Sequence, residues 1–453
     1  MLSDQKKINV FIPIELKKRE LFSKVILSNF IINNKEKKTR CYIGSKSQIK
    51  KLISIKKDFG GVFIYKGGLA YDQIRKIKNK IEKFIILDEE LGPAVDNLEK
   101  SMSKRLWEGT EKYVDRYYLI GKYAYDTGQK VYPKLSSKII MTGWPRVDLW
   151  RPELNYIFDK SVKNLKKKYG NYILFSSDFS FNSLKRINRE ENYWKNFEWK
   201  SKGEKLSKVG DNARKVYSDY QKIIKLFFEL DDRPDIPQII IRPHPTDDLL
   251  EWRKISKSFK NIKVIFKGDV SHWIYASSGV LHRGCTTAIE AYMAGIKAGH
   301  IITNEDRTRK SLSYKLSEHL YNSEQIVEFC KNNVIKKPTP PKDYIDAFKS
   351  FIHVEKKFAC EIIAEDMLKL DITSNPPFHH SKINYMLDSL RVTLNSMNTA
   401  IIRVIKRYTT GVLLPNKMVG GITKNEIDNI LVDFNPNHKL KVRQVLKNCV
   451  EIE

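Results

Sequence analysis

The strongest constraint on the fold is an alternation. Short apolar runs of strand length are separated by amphipathic stretches of helix length, and the pattern runs through two successive series. In the first series INVFIPI (8–14), CYIGS (41–45), GVFIYKG (61–67), FIILDEE (84–90), RYYLIGK (116–122) and KIIMTGWP (138–145) read as strands. Stretches such as KKRELFSKVILSNFI, SQIKKLISIKK and YDQIRKIKNKIEK read as the helices between them. A second series begins after a linker and helix at 147–168, with NYILFSSDFS (171–180), PQIIIRPHP (237–245), IKVIFKG (262–268), GVLHRG (279–284) and AGHIIT (298–303). Apolar runs alternating with helical patterns imply βαβ units and parallel sheets. The class expected is therefore α/β, with Rossmann-like domains at 1–150 and 151–340 and a helical C-terminal extension at 341–453. Segment 181–215 is polar and Trp-rich and gives no clear element.

Parallel sheets of this kind bind ligands beyond the carboxyl ends of their strands. Four constellations fall there. IIIRPHPTDD places Arg242, His244 and Pro245 directly after an apolar strand; an imidazole and a guanidinium there suit a phosphate. In HRGCTTAIEAYMAG, Arg283 and a Gly284 turn precede Thr286 and Thr287, which open a helix, with Glu290 one turn inside. Free amides and two hydroxyls suit an anion, and Glu290 suits ribose hydroxyls. The bland reading of this motif is an N-cap and a solvated acid. FIILDEELGP sets Asp88, Glu89 and Glu90 at a strand end, where crowded acids suit a general base; helix-capping acids or a metal site is the alternative. In MTGWPRVDLW, Gly143 and Pro145 break a strand, and Arg146 and Asp148 are expected to pair. The glycine spacing matches neither a Walker A loop nor GxGxxG, and the acid pairs at 231–232 and 247–248 read as loop acids, so no metal site is expected.

Net charge is +29 over 453 residues, which favours anionic partners: nucleic acid, anionic lipid or phosphorylated substrates. No RNP-like aromatic motif, zinc finger or basic arm accompanies it, so nucleic acid is not the expected partner, and a nucleic-acid-binding protein is kept as the non-enzyme rival. The five cysteines are scattered without CxxC spacing, and no apolar run spans a membrane. A cytoplasmic protein, at most peripheral to the inner membrane face, is expected. The stretch 385–408 reads as a helix with an apolar stripe, either packed on the catalytic body or lying on an anionic membrane.

The ordered runs IPIELKKREL (12–21), LDEELG, TGWPRVDLWRPEL, ILFSSDFSF (173–181), RPHP and GDVSHWIYASSGVLHRGCTTAIEAYMAG (268–295) resemble the bacterial surface carbohydrate biosynthesis proteins over about two-thirds of the chain. That resemblance implies a GT-B glycosyltransferase fold, in which two Rossmann-like domains face a cleft. The arrangement is also similar to bacterial sialyltransferases and Kdo transferases that use CMP-sugars. It implies Glu90 or Glu89 as the base, His244 as phosphate contact and leaving-group stabiliser, and Thr286 and Thr287 as phosphate ligands. Glu15, Arg19 and Arg146 are the substrate-binding candidates. Leu91 stands between the acids and Gly92, a departure from the acidic motif of those enzymes. No cofactor beyond the nucleotide-sugar donor is implied, and the acceptor is expected to be a surface polysaccharide or lipid-linked glycan. The rivals within enzymes are a teichoic-acid-type transferase of polyol phosphate from a CDP-alcohol and a UDP-sugar epimerase.

Overall fold

In the computed structural model the described residues are 6–55, 60–67, 71–89, 91, 97–180, 182–188, 206–244, 247–303, 311–332, 341–374, twelve positions between 386 and 405, 418 and 420–453. Side chains at 55, 71–72 and 206–212 are not among them. The chain forms two compact units. The first holds residues 1–157, 342–393 and 417–453; the second holds 158–341 and 394–416.

The first unit is built on a sheet of eight strands: β1 Ile8–Ile14, β2 Thr39–Ser45, β3 Val62–Tyr65, β4 Lys83–Asp88, β5 Arg116–Leu119, β6 Ile139–Met141, β13 Val442–Leu446 and β14 Cys449–Ile452. Their order is β13-β14-β2-β1-β3-β4-β5-β6. The six central strands are parallel. β1 pairs β2 on one side, then the chain crosses to place β3 on the other. That reversal is the topological switch point at which such sheets bind ligands. β1 is buried at every residue, as a strand covered on both faces must be.

The helix Lys17–Asn33 is buried around much of its circumference, polar Lys24, Ser28 and Asn29 included. The cause lies far away in sequence. Helices Ala359–Leu368 and Lys424–Phe434 both pack on it, and Phe30 meets Phe358 and Phe434 at 5.6 and 6.1 Å. The expected separate extension at 341–453 is thus corrected. Most of the described tail belongs to the first unit, and it contributes strands as well as helices. β14 pairs antiparallel with β2 and covers its outer edge. The sequence reading missed this hairpin, whose alternation is short and lies after a helical pattern.

The second unit has six parallel strands: β7 Tyr172–Ser176, β8 Gln238–Arg242, β9 Lys263–Val264, β10 Gly279–His282, β11 Ala298–Ile301 and β12 Glu318–Leu320. The order is β12-β11-β10-β7-β8-β9, with its switch point between β7 and β10. The long helix Leu206–Asp231 covers one face through Tyr220, Ile223, Phe227 and Leu230. β12 was not expected; three residues give too little pattern. Part of segment 181–215, namely 181 and 189–205, lies outside the described residues. Among the described residues no helix is long and apolar enough to cross a membrane.

Because β14 caps the β2 edge with Val450 and Ile452 buried, a chain ending at residue 440 exposes a long apolar edge strand. Its melting temperature should drop by several degrees and it should aggregate. An unchanged melting curve with a soluble monomer rules out this role for the hairpin.

Candidate functional site

In the first unit the carboxyl ends of β1, β3 and β4 carry Glu15, Lys66 and Glu89. Glu15 accepts hydrogen bonds from Lys66 Nζ at 2.9 Å and the Tyr65 hydroxyl at 3.2 Å, and its backbone N–H donates to Glu20 at 2.8 Å. Lys66 also meets Glu20 at 3.1 Å, and Lys46 donates to the Tyr65 hydroxyl. Burial alone would raise the Glu15 carboxyl; Lys66, then Lys46 and Tyr65, outweigh it and its pKa is lowered. Glu89 is buried with Lys24, whose Nζ stands 2.5 Å from Oε2. Its Oε1 is buried with no hydrogen-bond partner. Glu89 lines a cavity of about 20 Å³ with Arg19, Glu20, Ser23, Lys66, Trp144 and Arg146. That is room for about one water.

The sequence candidates sort differently here. Glu15, Arg19, Arg146 and Glu89 gather around one group of strand ends. Asp88, one residue earlier, points into the unit. It takes both Arg105 nitrogens, at 2.8 and 2.9 Å, and the Tyr117 hydroxyl at 3.1 Å. Asp88 is thereby fully occupied by structural partners. Glu90 and Gly92 lie outside the described residues. The expected Arg146–Asp148 pairing is corrected: Asp148 accepts the backbone N–H groups of Ala359 and Cys360 at 3.0 and 2.8 Å, at the start of a helix over two hundred residues away. Burial lifts its pKa to about 6, the two N–H bonds opposing. Arg146 instead lies over the Trp150 ring at 5.3 Å. Gly143 sits at φ 84°, and a Cβ there would lie 2.6 Å from the His353 carbonyl oxygen, so the chain turns only with glycine.

In the second unit both His244 and Gly284 flank the end of β7. Ser177, just past β7, accepts the His244 backbone N–H at 2.9 Å. Next to it Asp178 meets Arg283 at 3.1 Å, and Asp219 takes the same guanidinium at 2.8 Å. Gly284 holds φ 105° and donates its N–H to His282 Nδ1 at 2.8 Å. Thr286 caps the helix Thr287–Met293 by position without a side-chain cap bond. Thr287 Oγ1 is buried with no hydrogen-bond partner, and Glu290 is fully buried rather than solvated. Arg242 turns away from the loop: its guanidinium donates to the carbonyls of Lys267 and Gly268, the latter at 2.7 Å, and rests 5.0 Å from the Trp273 ring. Burial lowers its pKa to about 10. Pro245 lies outside the described residues.

The loop acids at 247–248 are buried anchors. Asp247 accepts from Ser177 Oγ, from Trp252 Nε1 at 2.9 Å and from the His244 N–H at 3.2 Å. Burial raises its pKa to about 7 against those bonds, with Asp178 adding to the rise. Asp248 caps the helix Leu249–Ile255 and takes Ser183 Oγ at 2.9 Å. Sequence reasoning missed Ser177, Asp178 and Asp247. The signal was available: SSD follows an apolar strand directly, and DD closes the RPHPTDD loop. Three histidines, His282, His300 and His319, stand in register on β10, β11 and β12. His282 and His300 stack at 4.9 Å.

No family model matches the chain, and no curated protein matches it in sequence. Solved structures do. A Staphylococcus aureus MnaA–UDP co-structure is 13% identical, with a TM-score of 0.50 over 82% of this chain and 100% of that one. The UDP-GlcNAc 2-epimerase of Methanocaldococcus jannaschii is 12% identical, TM-score 0.48, over 80% and 99%. The wall teichoic acid polymerase TagF is 13% identical, TM-score 0.49, over 81% and 91%. The likeness to the first is one of fold: two Rossmann-like units of the GT-B type.

Two tests follow from the geometry. Lys24→Met strands a buried carboxylate and should cost about 3–5 kcal/mol, whereas Lys24→Met with Glu89→Leu should recover most of it; equal losses in denaturant melts disprove the pairing. Burial, and then the nearby His319 and Arg283 charges, depress His300 to about 4 from 6.5. Between those values the unfolded chain binds a proton that the folded chain refuses, so this contribution to stability falls as pH falls from about 6.5 to 4, by up to about 3 kcal/mol. Asp247, raised in the folded state, acts in the opposite sense below pH 7. His300→Gln should therefore melt with a steeper gain on acidification than the parent, and parallel pH profiles would refute the assignment.

Proposed function

We propose that the chain is a glycosyltransferase that moves a sugar from a nucleotide donor onto a carbohydrate acceptor, with Glu89 as its base. The observation that carries the reading is the Glu89 carboxylate: one oxygen is fixed by Lys24, and the other is buried, unpaired and set beside a water-sized cavity. A base needs that arrangement, a fixed position and an open lone pair. Arg19, Lys66, Trp144 and Arg146 around the same cavity suit an acceptor carrying hydroxyls and acid groups.

The nucleotide is assigned to the β7–β10 switch point of the second unit. His244 stands there on a loop whose backbone is tied by Ser177 and Asp247. Thr286 and Thr287 supply hydroxyls with no capping role. In the reaction the acceptor O–H gives its proton to Glu89 and its oxygen bonds the anomeric carbon. The bond from that carbon to the phosphate oxygen breaks, and the nucleotide leaves with the electron pair. His244 and the two threonines stabilise the charge gathering on that phosphate. Arg242 and Arg283 position the loops rather than touch substrate, since carbonyls and carboxylates hold their guanidinium groups. Glu290, buried inside the helix, stands behind Thr287 as the candidate ribose contact.

The donor we assign is a CMP-linked nonulosonic or Kdo-type acid, and the acceptor a surface polysaccharide or lipid-linked glycan, on the sequence resemblance described above. The same fold carries UDP in the S. aureus MnaA structure, so the nucleotide base is the point to test. Thermal-shift titration with CMP, CDP, UDP and GDP should show the largest stabilisation with CMP, about 2.7 kcal/mol at a hundredfold excess over Kd. Preference for CDP with CMP release from CDP-glycerol gives polyol-phosphate transfer, and UDP formation without acceptor gives the epimerase. Glu89→Gln and His244→Ala should each lower transfer at least a hundredfold, His244→Ala with an unchanged melting curve and Glu89→Gln when assayed below its own, lowered melting temperature. Activity retained by Glu89→Gln but lost by Glu90→Gln moves the base by one residue; retention in both removes it from this strand end.

A further inference from the structure

The turn that opens the threonine loop of the second unit is tied down by a buried imidazole. Gly284 donates its backbone N–H to Nδ1 of His282, two residues earlier, at 2.8 Å. An amide N–H can only donate, so Nδ1 is the bare nitrogen and a neutral ring carries its hydrogen on Nε2. The ring is neutral: His282 is fully buried, and burial, then the His300 and His319 charges, holds its pKa well below 6.5. Nε2 lies 2.8 Å from Ser317 Oγ, which spends its own hydrogen on the Ser313 carbonyl at 2.6 Å. Ser317 therefore accepts from Nε2, and the tautomer is fixed from both ends. Ser313 belongs to the helix Leu312–Lys315, which packs on the helix Thr287–Met293. His300, stacked on His282 at 4.9 Å, bonds the backbone of Arg283 beside the turn. The transfer described above uses neither histidine.

We propose that His282 is a positioning residue for the nucleotide loop: its Nδ1, in the tautomer set by Ser317, pins the Gly284 amide and so aims the chain that carries Thr286 and Thr287. The inference rests on the assignment of the nucleotide phosphate to this loop. Gly284 holds φ 105°, where glycine alone sits cheaply, but the same freedom lets glycine leave that conformation. The bond to His282 selects one conformation from those that glycine allows. Thr287 Oγ1, buried and without a hydrogen-bond partner, lies three residues beyond that bond. Without the acceptor, the Gly284 N–H has to find another partner, and the loop moves to reach it.

Two substitutions separate this role from packing. In His282→Asn the side-chain oxygen can still accept the N–H two residues on, as asparagine does in turns. In His282→Gln the amide is carried one methylene further, toward Ser317, and Gly284 loses its acceptor. Asparagine leaves the larger void, so a residue that only filled space would suffer more from asparagine. The test is calorimetric titration of the full chain with CMP, CDP, UDP and GDP, below the melting temperature of either variant. For the nucleotide that binds the parent most tightly, His282→Asn should keep Kd within about threefold and His282→Gln should raise it about tenfold or more, the loss of one buried hydrogen bond. Equal Kd values in the two variants, or weaker binding by His282→Asn, overturn the proposal and leave the nucleotide site standing. A parent that binds none of the four nucleotides removes that site and the proposal with it. Should both variants fail to fold, Ser317→Ala, which frees the tautomer, should raise Kd about threefold or more; an unchanged Kd overturns the proposal.

Discussion

A parallel sheet covered on both faces has one margin where its strands can place polar side chains within reach of a ligand: the carboxyl edge, where each strand leaves the core. The rest of this molecule follows from that constraint. In both units the chain reverses direction along the sheet, at β1/β3 and at β7/β10. Both reversals carry charged groups at their strand ends. Glu15, Lys66 and Glu89 leave neighbouring strand ends in the first unit, and Ser177, Asp178, Arg283 and Gly284 do so in the second. Neither set is assembled by a local motif; each is assembled by strand order.

Burial then separates acids that look alike. Asp88 and Glu89 are adjacent, yet alternation along an extended chain sends them to opposite sides. Asp88 meets Arg105 and Tyr117 and is consumed by structure. Glu89 meets one lysine and keeps an oxygen unspent. Asp148 and Asp231 are spent on backbone N–H groups, Asp231 on three successive amides at 2.6 to 2.9 Å. A buried carboxylate with several fixed donors is an anchor.

The tail shows the same division at larger scale. Its helices and hairpin are needed because the helix Lys17–Asn33 is too evenly apolar to be finished by its own neighbours. Phe358, Phe434 and the helices Ala359–Leu368 and Lys424–Phe434 close over it, and β14 closes the outer edge of β2. The described tail helix between 386 and 405 leaves its apolar side chains about half exposed.

The sequence by itself determined the class. Two series of β-branched runs with helical spacers admit little besides parallel α/β units, and the positions of the first eleven strands are legible because buried strands are continuous apolar runs. It also located His244, the Gly284 turn and the acids at 88–90 as strand-end residues. Tertiary structure decided everything that depends on neighbours distant in sequence. Strand order set the switch points; Cys360 and Ala359 N–H groups claimed Asp148; carbonyls of the β9 loop claimed Arg242; and Lys24, two turns into its helix, became the partner of Glu89. Periodicity reports which face of an element is buried. It carries no information on which element buries it, and the chemistry of a charged residue is fixed by that second fact.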